Sequence, residues 1–123
     1  MKLSEKQAEF SFMVGRFLCS IGVLSAVMKM TVTLGEVYRT EYQQRHNVET
    51  GKSKTLEGKH RQRLAIDLNL FINGKYVTDP EKYRPLGLFW ESLGGRWGGR
   101  FGVKRKDWDK KLGWDSNHFE YKD

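Results

Sequence analysis

The run from Leu64 to Ile72 most constrains what this chain can fold into. Leu64, Ile66, Leu68, Leu70 and Ile72 alternate with Ala65, Asp67, Asn69 and Phe71. A period of two is the signature of a β-strand, and it puts the aliphatic row on one face. Asp67 falls on the other face. A carboxylate in so apolar a strand is costly to bury unless it is paired or bound to a cation. His60 lies just upstream, where a loop enters the strand, so a loop imidazole and a strand carboxylate can meet at one point. Near the C-terminus, Asp115-Ser-Asn-His118-Phe-Glu120 supplies another histidine with more carboxylates.

Two histidines and one aspartate make a three-ligand set of the catalytic zinc type, with one position left open for water. His60, Asp67 and His118 are the candidate ligands. Asp115, three residues before His118, can reach the open face as a proton carrier. Arg39 sits at a predicted strand end and can supply a cation for an oxyanion. The pattern points to amide hydrolysis. On spacing alone a second reading stays open for each residue: a hydrogen-bonded structural histidine, or an arginine in a surface salt bridge. His46, in a polar segment, reads as structural.

The 123 residues suffice for one domain, spanning 1–123, around a single core. A formal net charge of +7 calls for an anionic partner, whether nucleic acid, a membrane surface or a polyanionic wall. The single Cys19 excludes an internal disulfide; in its apolar run it reads as a buried, inert thiol. Residues 17–28 form an apolar stretch between Arg16 and Lys29, too short to span a bilayer. The preceding segment carries Glu5 and Glu9, which suits a signal peptide poorly. The expectation is a cytoplasmically made protein with no membrane span.

Taken in order, Ser4-Glu-Lys-Gln7 reads as a capping box. Phe10, Met13, Phe17, Ile21, Leu24 and Met28 then mark one helical face, widened by Val14, Leu18, Val23 and Val27 into a mostly buried helix. Met30, Val32 and Leu34 alternate with threonines, predicting a strand that runs on to Arg39. Thr40 to Gln43 is a second capping box. Residues 46–59 read as a polar loop. Asn73-Gly74 ends the central strand in a hairpin turn, and Asp79-Pro80 starts a helix. Leu86, Phe89, Trp90 and Leu93 share a helical face that Gly94-Gly95 stops. Arg96 to Phe101 predicts tight bends, and 102–113 an exposed basic loop. In the last strand His118 and Glu120 share one face, with Phe119 and Tyr121 on the other.

With these pieces in place the sequence resembles the zinc D-alanyl-D-alanine peptidase family, most closely its small phage members, the L-alanyl-D-glutamate endopeptidases of endolysins. The resemblance runs through Gly58-Lys59-His60, Leu64-Ala65-Ile66-Asp67-Leu68, Trp97-Gly98-Gly99-Arg100-Phe101 and Asp115-Ser-Asn-His118-Phe119-Glu120. Upstream, Tyr38-Arg39-Thr40 and Gly51-Lys-Ser53-Lys-Thr55 are similar to further family stretches. It implies Zn2+ held by His60, Asp67 and His118, with Asp115 as general base and Arg39 polarising the scissile carbonyl. Ser53, Thr55 and Trp97 are the implied substrate contacts. It also implies an α+β fold, with helices packed on a small antiparallel sheet that carries the zinc site, as in D-Ala-D-Ala peptidases and hedgehog-like domains.

Two positions depart from the family pattern: Gly58 stands where Ser is usual, and Arg63, beside the cleft, where Gly is usual. The implied substrate is the peptidoglycan stem peptide, cut by a monomer that reaches the periplasmic wall from the host cytoplasm after holin-mediated release. A D,D-carboxypeptidase, a basic nucleic-acid-binding protein and an inactive zinc-containing wall-binding module are the competing readings. No nucleic-acid partner is expected.

Overall fold

The computed structural model describes residues 1–51 and 58–123. Among the described residues, three α-helices, α1 (Leu3–Met28), α2 (Glu41–Glu49) and α3 (Arg84–Ser92), accompany five short strands. The strands are β1 (Met30–Leu34), β2 (Ala65–Ile72), β3 (Lys75–Tyr76), β4 (Arg96–Trp97) and β5 (His118–Glu120). They form one antiparallel sheet in the order β1-β2-β5-β4, with β3 added as a hairpin on β2. The expected α+β architecture is present.

β2 is the axis of the sheet. Its aliphatic row enters the core, where Leu64, Leu68 and Leu70 are fully buried. Asn73 and Gly74 both take positive φ, 52° and 77°, as a tight primed turn demands, and β3 follows at once. β1 pairs with β2 from Met30↔Ile72 to Leu34↔Leu68. Regular pairing then stops, short of the expected Arg39. Gly35 instead donates to the Asp67 carbonyl at 2.7 Å, and Asp67 donates to the Glu36 carbonyl at 2.9 Å. A Cβ at Gly35 would lie 2.9 Å from that Asp67 oxygen, so glycine permits the close approach.

Thr40 caps α2, its hydroxyl accepting from the Gln43 N–H at 3.1 Å. The helix runs to Glu49, so His46 lies on it rather than in a loop. Asp79 accepts from the Glu81 N–H, and a 3-10 turn at Pro80–Tyr83 leads into α3 with Pro85 in its first turn. Gly94, at φ 92°, follows the helix end.

α1 and α3 cover the aliphatic face of the sheet. Phe17 is the centre of that contact, with ring centroids 5.0 Å from Trp90, 4.9 Å from Phe119 and 6.1 Å from Phe89. Trp90 donates its indole N–H to the Glu120 carbonyl at 3.0 Å, tying α3 to β5.

Four expectations for α1 are corrected. It starts at Leu3, where the Glu5 carboxylate accepts from the Lys2 N–H, so the Ser4–Gln7 box does not form the cap. Only Phe10, Met13, Phe17 and Ile21 are buried; Val23, Leu24, Val27 and Met28 are exposed, because the sheet and α3 cover one narrow stripe and nothing described covers the flanks. Cys19 lies on the uncovered side and is exposed. The helix is also longer than the stretch 17–28. Its 26 residues have a mean hydropathy reaching 1.8, with 22% of that apolar window buried, so by length and composition it is able to cross a membrane.

Candidate metal centre

The site begins with strand register. Asp67 on β2 pairs directly with His118 on β5, so both side chains leave the sheet on the face away from the core, one beside the other. His60 comes from the 3-10 turn Lys59–Gln62 that precedes β2. That turn is held against the residues after β1, where the Arg39 N–H donates to the His60 carbonyl at 3.3 Å.

His60 Nε2 and His118 Nδ1 each lie 3.2 Å from Asp67 Oδ1. One ligand atom from each of the three residues lies within 4.8 Å of the others. The far side of each ring settles its proton. His60 Nδ1 is 3.0 Å from the Val37 carbonyl, which can only accept, so this nitrogen donates. His118 Nε2 is 2.8 Å from Glu120 Oε1 and donates to it. With the outer nitrogens donating, each inner nitrogen faces Asp67 Oδ1: it donates to the carboxylate when the ring is protonated and offers a lone pair beside it when the ring is neutral. In the neutral rings three acceptor atoms converge on one point, where a cation can replace the protons, and outer acceptors of this kind are what orient metal-binding imidazoles. Two nitrogens and one oxygen with an open fourth side suit zinc. The residues fit the ion.

The charges agree with this. Burial would raise the Asp67 pKa, but hydrogen bonds from His118 and His60 outweigh it and hold the carboxyl at about 2. Burial would lower His118, but its bonds to Asp67 and Glu120 and the nearby Asp115 charge pull it up to about 9. A proton on Nδ1 and a metal ion compete for the same lone pair, so metal binding releases that proton.

Asp115 lies over the open side, its Oδ2 3.6 Å from His118 Nδ1. Burial, aided by the Asp67 charge, raises its pKa against the pull of His118. A carboxylate so poised is better able to take a proton and give it back. Arg39 lines the same groove, of about 690 Å³, as His60, Asp67, Asp115 and His118. Its guanidinium is held by Glu36 and by Gln44 Oε1, the latter at 2.6 Å. Gln44 is itself buried on α2.

The structure thus brings together five of the eight residues expected in the site. Ser53 and Thr55 lie outside the described residues. Trp97 does not reach the groove: it is fully buried, because its large ring completes the core. Its indole N–H donates to the Ser116 carbonyl at 2.6 Å, and Gly98 lies so close to Asp115 that a Cβ would collide with the Asp115 carbonyl. The Trp-Gly-Gly segment braces the loop that carries Asp115 and His118 rather than touching substrate. The groove wall there is made by Phe101 and the exposed Trp114, ring centroids 5.3 Å apart.

Sequence reasoning missed Glu120 as the partner of His118, and Glu36 and Gln44 as the holders of Arg39. The first had a signal, the two-residue spacing on one strand face; the others had none. Arg63 does not line the groove. It takes φ 56°, a conformation that explains why glycine is usual there, and its guanidinium lies 4.0 Å over the Tyr38 ring, not in the groove. Gly58 does line the groove, and a Cβ there would meet only the Gln44 side chain at an ordinary 3.5 Å.

The sequence profile of the D-alanyl-D-alanine carboxypeptidase family matches residues 51–121. This chain belongs to that family. It is a peptidase of a peptidoglycan-acting family of metallopeptidases, and its His60, Asp67 and His118 cluster could hold a metal ion. Among solved structures, the L-Ala D-Glu endopeptidase ChiX of Serratia marcescens superposes with a TM-score of 0.59 at 21% identity, covering 76% of this chain and 68% of that one. No curated protein matches.

Proposed function

We propose that this peptidase is zinc-dependent and cuts the peptidoglycan stem peptide at the L-alanyl-D-glutamate bond, as a phage endolysin in host lysis. The observation that carries the zinc reading is the convergence of one ligand atom each from His60, Asp67 and His118 to within 4.8 Å, with the outer nitrogens of both rings held by Val37 and Glu120. The likeness to ChiX supports the choice of bond.

Bound between His60, Asp67 and His118, zinc supplies Lewis acidity at the scissile carbonyl and makes a water acidic enough to react near neutral pH. The Asp115 carboxylate accepts the proton of the attacking water and returns it to the departing amine. The Arg39 guanidinium donates to the carbonyl oxygen as negative charge grows there. Glu36 and Gln44 fix Arg39 so that it need not reorganise during the reaction. Phe101 and Trp114 give an apolar wall for the peptide backbone. A monomer suffices for all of these roles. The proposed setting is the cell wall reached after holin-mediated release from the host cytoplasm.

A second reading, a D,D-carboxypeptidase acting on D-Ala-D-Ala termini, is favoured by membership of the D-alanyl-D-alanine carboxypeptidase family. Clearing of permeabilised Gram-negative cells, with and without a zinc chelator, separates the two when released fragments are read by mass spectrometry. Chelator-sensitive clearing with a new amine on D-Glu is the expected result. Loss of terminal D-Ala without clearing would replace the endopeptidase by the carboxypeptidase. No peptide product from zinc-replete protein would exclude both.

A further inference from the structure

A second groove, of about 680 Å³, adjoins the metal cleft, and Arg96 and Gly102 line both. Its walls carry Arg96, Arg100, Lys104, Arg105 and Lys122 against a single carboxylate, Glu91. Glu91 is already engaged, accepting from Arg100 Nε at 2.9 Å and Nη2 at 3.0 Å. That pair forms a fixed floor with Trp108, whose ring centroid lies 4.5 Å from the Arg100 guanidinium and 5.0 Å from that of Arg105. The indole N–H of Trp108 donates to the Val103 carbonyl at 3.1 Å, so the platform is held in place.

The remaining charges are left over. Lys104 and Lys122 are exposed and have no ion pair among the described residues. Arg96 stands on the ridge between the two grooves, 4.7 Å over the Phe101 ring, with Glu120 3.6 Å away and most of its side chain open to solvent. Among the described residues, Lys104, Arg105 and Lys122 thus face a concave space whose one lining carboxylate, Glu91, is already taken by Arg100, with Arg96 at its edge. Holding like charges together around a groove costs electrostatic energy, which an anionic occupant offsets.

We infer that this groove is a carboxylate-binding subsite, which takes the acidic flank of a peptide lying across the metal cleft. The inference rests on the peptidase reading. The occupant follows from continuity. Because Arg96 and Gly102 line both grooves, a chain leaving the cleft past Arg96 passes directly into the basic groove. The anions a peptide carries there are carboxylates, and a bond next to glutamate supplies one. Arg96 is placed to meet it first, with Lys104 and Lys122 beyond.

The test uses an L-Ala–D-Glu-containing stem tetrapeptide in two forms, with its side-branch carboxylates free or amidated. Binding is measured by calorimetry on zinc-loaded protein made inert by Asp115→Asn, and turnover on zinc-loaded protein with Asp115 intact. Each is compared with and without the added pair Lys104→Ala and Lys122→Ala, which touches no residue of the metal site. The free-acid peptide should bind about tenfold more tightly than the amide, and the double substitution should remove that margin. In turnover the same pair should raise KM for the free acid about tenfold with kcat unchanged, and leave the amide unaffected. Equal binding of the two peptides, or an equal loss for both in the variant, would overturn the subsite. Absence of product from unsubstituted zinc-loaded protein would instead refute the peptidase reading, while the calorimetry still decides whether carboxylates bind.

Discussion

Glu120 sits behind His118 and accepts its Nε2 proton at 2.8 Å, both groups being buried. A full negative charge there makes the inner nitrogen a stronger donor to a metal. Replacing Glu120 by Gln keeps the shape and an oxygen acceptor but removes the charge. Zinc affinity should fall roughly 10- to 100-fold in a competition titration against a chromophoric chelator, with the fold intact by circular dichroism. Asp115 behaves differently, because it overlooks the site without being one of the three converging ligands. Asp115→Asn should keep one zinc per chain by elemental analysis while turnover drops about 100-fold or more; a variant that still lyses cells would remove Asp115 from the reaction. At this scale the sequence was legible where chemistry is rare. Two histidines beside carboxylates are few enough to single out, and Asp67 was conspicuous in an apolar strand. Gln44 and Glu36 were illegible, since polar residues in a helix or loop carry no mark of the guanidinium they hold. Trp97 was misread because a tryptophan next to glycines suits a core plug and a substrate wall equally well.

The elements show where periodicity stops being informative. β2 was legible in full, since a period of two assigns each residue to a face, and the Asn73-Gly74 turn fixed where the strand reverses. α1 was legible as a helix and misread as mostly buried. A 3.6-residue period gives the side chains a common direction but says nothing of how wide the covering surface is. Here the cover is one stripe, and the stability should be concentrated there. Phe17, fully buried against Trp90, Phe119 and Phe89, should cost about 3–5 kcal/mol when cut to alanine, measured by urea unfolding. Val27, 82% exposed on the same helix, should change stability by no more than about 0.5 kcal/mol when replaced by serine. Comparable losses at both positions would mean that the outer face of α1 is packed in solution.

For the whole molecule, folding and metal binding are joined through the same two side chains, and pH pulls them in opposite directions. In chelator-treated protein His118 titrates near 9 rather than 6.5, so the folded state holds its proton more tightly than the unfolded state. The stability this brings is complete below about pH 6.5 and is lost as pH rises through about 9. Asp67 titrates near 2 rather than 3.8, so its contribution is complete above about pH 4 and is lost as pH falls through about 2. Metal-free protein should therefore be most stable between about pH 4 and 6.5. Zinc needs the His118 lone pair, so its stabilisation grows over the range in which the proton's fades. Melting temperatures recorded with excess zinc and with chelator should diverge steadily from pH 6.5 to 9, with the chelated curve falling. Parallel curves over that range would mean that His118 does not give up a proton to the metal, and that the ion, if bound, is held elsewhere. Replacing His118 by Ala should abolish the divergence altogether, because it removes the proton site and the ligand in one step.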